Sequence, residues 1–63
     1  MNEPTPSSKL AYTVAEAAEK ISLSRSTLYE LIHAGEIETI KIGRSRRITE
    51  RQLATYLVRK EAE

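Results

Sequence analysis

The sequence contains no cysteine. Neither a disulfide nor a thiolate metal site can therefore stabilise it, and nothing points to secretion. It has a single histidine, His33, which cannot build a metal site alone. No apolar run is long enough to span a bilayer, and no signal-peptide pattern is present. The expectation is a soluble, cytoplasmic protein with no membrane partner, no cofactor and no small-molecule ligand. Paired carboxylates, a nucleophile beside a base and a phosphate-cradling glycine loop are all missing, so an enzyme is not expected. Glycine and proline number two each, Gly35 and Gly43, Pro4 and Pro6. Breaks in the chain are thus few, and their places are informative.

The chain has 63 residues, the length of one domain. Beginning at Met1, it is consistent with a complete gene product. A domain this small buries only about 60% of the surface its unfolded chain exposes, so its stability is expected to be modest. The net charge is +1, but it is unevenly spread. From Lys41 to Arg51 there are five basic residues (Lys41, Arg44, Arg46, Arg47, Arg51) and one acid, Glu50, a net of +4 that leaves −3 on the rest. A basic block on an otherwise acidic body suggests a local site for a polyanion.

Residues 1–9 hold both prolines with Ser7 and Ser8, and offer little to a core, which predicts a flexible N-terminal arm. Thr13-Val14-Ala15-Glu16 has the spacing of a capping box, with Thr13 capping and Glu16 reaching back. Val14, Ala17, Ala18 and Ile21 follow the template of an amphipathic helix ending near Lys20 or Ile21. The small Ala17 and Ala18 would admit a second helix closely. Ser22-Leu23 forms the turn, with Leu23 expected as its buried plug. Ser24 is a good N-cap for a second helix over Arg25 to Ala34, and Gly35 suits the left-handed residue that ends it. Leu28, Leu31 and Ile32 make its apolar stripe. The opposite face carries Ser26, Tyr29, Glu30 and His33, with Arg25 and Thr27 at the start.

After Gly35, Ile40 and Ile42 alternate with Thr39 and Lys41, the period of a half-buried strand. Gly43-Arg44-Ser45 is read as a turn and Arg46-Arg47-Ile48 as the returning strand, with Ile48 in the core. Alternation then places Arg47 opposite Ile48, beside the outward face of Lys41, and leaves the direction of Arg46 open. Thr49-Glu50-Arg51-Gln52 is a second capping box. Leu53, Ala54, Leu57 and Val58 form the stripe of a third helix to about Lys60, with Tyr56 at its edge. Residues 10–60 are expected to fold, and 61–63 to fray.

The predicted class is mostly α with a small β-hairpin, in the order helix, turn, helix, basic hairpin, helix. This is a winged helix-turn-helix plan with a two-stranded wing. Its second helix can enter the major groove of double-stranded DNA while the wing lies on the backbone or minor groove. Arg25 can fork onto a guanine edge or clamp a phosphate. Ser26, Thr27 and the Ser24 backbone N–H can bond phosphates at the positive helix end.

Beyond this pattern, Tyr12 to Ala18, Ser24 to Ile32, Gly35-Glu36-Ile37, Lys41-Ile42-Gly43-Arg44 and Arg46-Arg47-Ile48 together resemble the excisionase-type winged-helix family, related to the MerR-type DNA-binding domain. The resemblance covers roughly Leu10 to Arg59. It implies a phage or mobile-element excisionase, also called a recombination directionality factor. Such proteins bind tandem sites beside an attachment region, bend the DNA and direct a tyrosine integrase toward excision, without catalytic activity of their own. It also implies a place on the host nucleoid and contact with neighbouring copies on DNA. By position, Ser24, Arg25, Ser26, Thr27, Tyr29 and Glu30 fall on the recognition helix, and Lys41, Arg44, Arg46 and Arg47 on the wing. Glu30 would repel phosphate, so it either accepts from a cytosine amino group or faces solvent.

Plainer roles stand beside these. Tyr29 can contact DNA or lie on its neighbours; Tyr12 and Tyr56 suit the core; His33 suits the negative end of its helix. Two other functions fit the same residues: a transcriptional regulator binding promoter DNA, and a protein-interaction module with a basic wing.

Overall fold

The computed structural model describes residues 10–63, so the expected arm over residues 1–9 lies outside the described residues. The elements run β1 (Ala11–Tyr12), α1 (Val14–Lys20), α2 (Arg25–His33), β2 (Ile40–Ile42), β3 (Ser45–Thr49) and α3 (Glu50–Glu61). They make a winged helix-turn-helix.

Each helix starts on a hydroxyl cap. The Thr13 Oγ1 accepts from the Glu16 N–H while the Glu16 carboxylate accepts from the Thr13 N–H, both at 3.0 Å. Thr49 and Gln52 repeat the arrangement at the start of α3. These reciprocal bonds satisfy first-turn donors that no preceding carbonyl can reach. Between α1 and α2, Ser22 takes a left-handed φ of +61°, and the Leu23 N–H closes back onto the Ala18 carbonyl. After α2, Gly35 is left-handed at φ +80°, where a Cβ would be strained. The Glu36 N–H then bonds to the Leu31 carbonyl.

The core is a single cluster of Tyr12, Val14, Ala17, Ala18, Leu28, Ile37, Ile48, Leu53 and Tyr56, with Ile21, Leu31 and Ile32 packed against it. Ala17 and Ala18 are fully covered, as close approach of α2 to α1 requires. Leu28 and Ile48 are the largest side chains wholly removed from water.

The expected two-stranded wing is present as β2 and β3, and β1 adds a third strand in the order β1-β3-β2, because Ala11 and Tyr12 pair antiparallel with Thr49 and Ile48. Four expectations are corrected. β3 begins at Ser45 and reaches Thr49, which leaves Gly43 and Arg44 as the turn. Register places Ile40 across from Arg47, Lys41 from Arg46, and Ile42 from Ser45. Directly opposed residues share a face. Lys41 and Arg46 therefore stand on the Ile48 side, while Ile40 and Ile42 stand with Arg47 on the other side, exposed rather than half-buried. Third, α3 turns Leu53 and Tyr56 inward and leaves Ala54, Leu57 and Val58 exposed. Finally, Leu23 is half-buried and outside the core cluster, so it does not plug the turn.

Candidate nucleic-acid interface

The N-terminus of α2 is built by two hydroxyls. Ser24 Oγ accepts from the Thr27 N–H at 3.1 Å and donates to Thr27 Oγ1 at 2.9 Å. Thr27 Oγ1 is then an acceptor, which leaves its own proton for an outside acceptor. The first turn of α2 contains no acid, whereas α1 has Glu16 and α3 has Glu50 there. The positive end of α2 is therefore uncompensated by its own side chains. Arg25, Ser26, Tyr29, Glu30 and His33 are exposed, and Thr27 is half-buried. The apolar side of α2 is held down by Leu28, with Leu31 and Ile32 packed on the core. Its polar side is thereby presented outward.

The wing carries its four candidate residues on two faces and a tip. Lys41 and Arg46 oppose each other across the ladder, both exposed. Like charges directly opposed weaken a strand pair. Arg46 is steadied by donating from Nη1 to the Thr39 hydroxyl at 2.9 Å. Arg44 sits in the turn beside Gly43, which is left-handed at φ +63°. Arg47 lies on the other face, half-buried, and donates to the Arg46 carbonyl at 3.0 Å. Among the described residues, none of Arg25, Lys41, Arg44, Arg46 or Arg47 forms an ion pair with an acid.

The loop between α2 and the wing is tied down at two points. Ile37 is buried in the core, and Arg59 donates from Nη2 to the Glu36 carbonyl while pairing with the Glu36 carboxylate at 3.3 Å. The Arg59–Glu36 pair is solvent-exposed and contributes little energy by itself. Its use is geometric, since it fixes the loop to α3.

β1 is locked to the start of α3. The Tyr12 hydroxyl donates to the Glu50 carboxylate, and the Glu50 N–H bonds to the Leu10 carbonyl. The hydrogen bond to Glu50 raises the Tyr12 pKa, with burial and the Glu50 and Glu16 charges adding to it. Sequence spacing carried no sign of Thr39 as the partner of Arg46, nor of Ile40 and Ile42 as exposed residues; both follow from register alone. No group of three or more metal-ligating side chains gathers among the described residues, and none of their helices is long and apolar enough to cross a membrane.

Comparison with known proteins agrees with this architecture. Residues 11–60 match the family described as Helix-turn-helix domain. The chain is 41% identical over 51 residues to a protein of Saccharopolyspora erythraea named as a probable excisionase, a match covering 81% of this chain and 52% of that protein. It is 44% identical over 36 residues to proteins of two strains of Mycobacterium tuberculosis whose names call them candidate DNA-binding proteins, covering 57% of this chain and 46% of each. The chain thus spans about half the length of the curated relatives it matches. No solved structure matches it significantly. The match over residues 11–60, on a fold whose second helix and hairpin are arranged as described, shows that the chain belongs to the helix-turn-helix domain family.

Proposed function

We propose that the chain is a sequence-specific DNA-binding protein that reads double-stranded DNA with α2 and grips it with the wing. The observation that carries this reading is the opposed pair Lys41 and Arg46, exposed and without an acidic partner among the described residues. A fold gains nothing from two cations facing each other, whereas a phosphate placed against them turns repulsion into attraction. The acid-free N-terminus of α2 and its exposed Arg25, Ser26 and Tyr29 support the same partner. In this reading Ser24, Arg25, Ser26, Thr27, Tyr29 and Glu30 serve the major groove, and Lys41, Arg44, Arg46 and Arg47 serve the backbone and the neighbouring groove.

The finer proposal is an excisionase that binds tandem sites near an attachment region, bends the DNA and turns a tyrosine integrase toward excision. Likeness to the Saccharopolyspora protein supports it. Likeness to the mycobacterial proteins supports DNA binding alone, so a MerR-like regulator of promoter DNA stands as the alternative reading.

A gel-shift titration tests both levels, comparing attachment-region DNA of the source element with a scrambled duplex of equal length. A ladder of discrete complexes on the attachment probe alone is expected of an excisionase. Specific binding to promoter DNA instead would favour the regulator, and binding to neither duplex by folded protein would remove DNA as the partner. On the specific site, Arg25→Ala is expected to cost about 1–3 kcal/mol if Arg25 reads a base. Equal loss on specific and scrambled DNA would reduce Arg25 to a phosphate clamp.

A further inference from the structure

The register of the wing places two β-branched apolar side chains on the face opposite Ile48, Ile40 beside α3 and Ile42 nearer the tip. Ile40 and Ile42 lie two residues apart on the edge strand β2, 37% and 60% exposed. Scattered exposed apolar residues are ordinary on any protein. This pair is not scattered. It sits on an unpaired strand edge, a place where exposed apolar surface invites wrong pairing. On that face it is bordered by Arg47 opposite Ile40 and by Arg44 just past Ile42 at the tip, while Lys41 projects to the other face and Glu38 lies near Ile40, away from Ile42. A surface suited to this arrangement must offer apolar walls flanked by negative charge. The minor groove of duplex DNA is such a surface, because the C–H faces of its sugars form walls between two rows of phosphates.

We propose that Ile42 is an apolar minor-groove contact, pressed against the sugar walls while Arg44 at the tip and Arg47 on the same face meet the phosphates. The inference rests on the DNA-binding reading above and adds a residue that no charge argument finds. With α2 in the major groove, the hairpin reaches across one phosphate strand to the adjacent minor groove, where inserted apolar side chains favour bending. Contact at the groove floor also carries a base preference. A G·C pair projects the guanine amino group into the minor groove and an A·T pair does not. Ile42 therefore favours A·T pairs beneath the wing.

The test uses the full chain and a duplex it selects from a random pool, with affinity measured at several salt concentrations. Ile42→Ala is expected to weaken binding roughly 5- to 30-fold, the effect of losing up to three buried carbons. The salt slope should not change, because no charge is lost. Ile42→Val should stay within about threefold of the parent on the same scale. Ile42→Thr keeps the branched shape that suits a strand, so its loss of affinity with an unchanged melting temperature separates contact from folding. Replacing A·T under the wing by G·C should weaken the parent more than Ile42→Ala, while inosine·cytosine, which lacks the minor-groove amino group, should bind like A·T. Equal affinity of the parent, Ile42→Ala and Ile42→Thr would overturn the inference and leave DNA binding standing. Failure of the parent to select any duplex would overturn both.

Discussion

Lys41 and Arg46 are a single pair of residues at which the proposed binding is set against stability. Their side chains share a face because the ladder opposes them, and no described acid neutralises either. Lys41→Glu would put opposite charges in that position, a change worth about 0.2–1 kcal/mol in a cross-strand pair. The expected outcome is a protein slightly more resistant to urea and bound to DNA at least roughly tenfold more weakly, since one phosphate contact is replaced by a repulsion. A variant that keeps its affinity would show that the parent pair does not hold phosphate, and one that loses stability would show that the opposed cations do not weaken the ladder. At this scale the sequence was informative about which residues are charged and silent about what they face. Five cations between Lys41 and Arg51 were visible at once. That Arg46 rather than Arg47 opposes Lys41 depends on the position of the turn, which spans Gly43 and Arg44.

Among the elements, the helices and the wing hairpin were legible, whereas β1 and the facing of the strands were not, for a physical reason. A helix announces itself locally: Thr13 with Glu16, Ser24 before its stripe, and Thr49 with Gln52 satisfy donors within three residues. Each cap appears in the structure as expected. A strand is defined by a distant partner. β1 has only two residues, Ala11 and Tyr12, too few to show any period, and it exists because β3 lies beside it. Alternation in Ile40-Lys41-Ile42 was real, but period two says only that the isoleucines share a face, not which face meets the core. In α3 the set Leu53, Ala54, Leu57 and Val58 fits one stripe, yet Leu53 with Tyr56 fits another, turned about the axis. The larger ring of Tyr56 covers more core than Ala54 could, and burial follows area. Thr49 is the position where helix and strand meet, since it ends β3 and caps α3. Thr49→Ala is expected to cost about 1 kcal/mol through the lost cap, within a range of roughly 0.5–2. Chemical denaturation would measure it, and Thr49→Ser should recover most of the loss. Equal destabilisation by Ser and Ala would mean that the Thr49 methyl, not its hydroxyl, carries the effect.

For the whole molecule, the small core makes long-range ties matter. The Tyr12 hydroxyl joins the first strand to the last helix through Glu50, and this bond requires a protonated phenol. Its pKa is raised above the ordinary 10.0, so the stabilisation is complete below that pH and is lost as pH climbs through the raised value. Stability of the parent should therefore fall above pH 10 more steeply than that of Tyr12→Phe; parallel curves would exclude Tyr12 as the group responsible. Charge is the other property that belongs to the whole. A net of +1 gives little general attraction to a polyanion, so in the proposed reading binding draws on the local excess of the wing. The salt dependence of affinity counts the phosphate contacts of α2 and wing together, because each neutralised phosphate releases counterions with a slope of about −0.9 per contact on duplex DNA, and a wing variant isolates the wing's share. Arg44→Ala combined with Arg46→Ala is expected to flatten the slope by about one for each phosphate lost. Both side chains are exposed, so folding should survive, as circular dichroism would verify. The parent and the double variant would be titrated on the same duplex between low and physiological salt. An unchanged slope in a folded variant would take the wing tip out of the interface and leave α2 to bind alone, with the opposed cations of the hairpin unexplained.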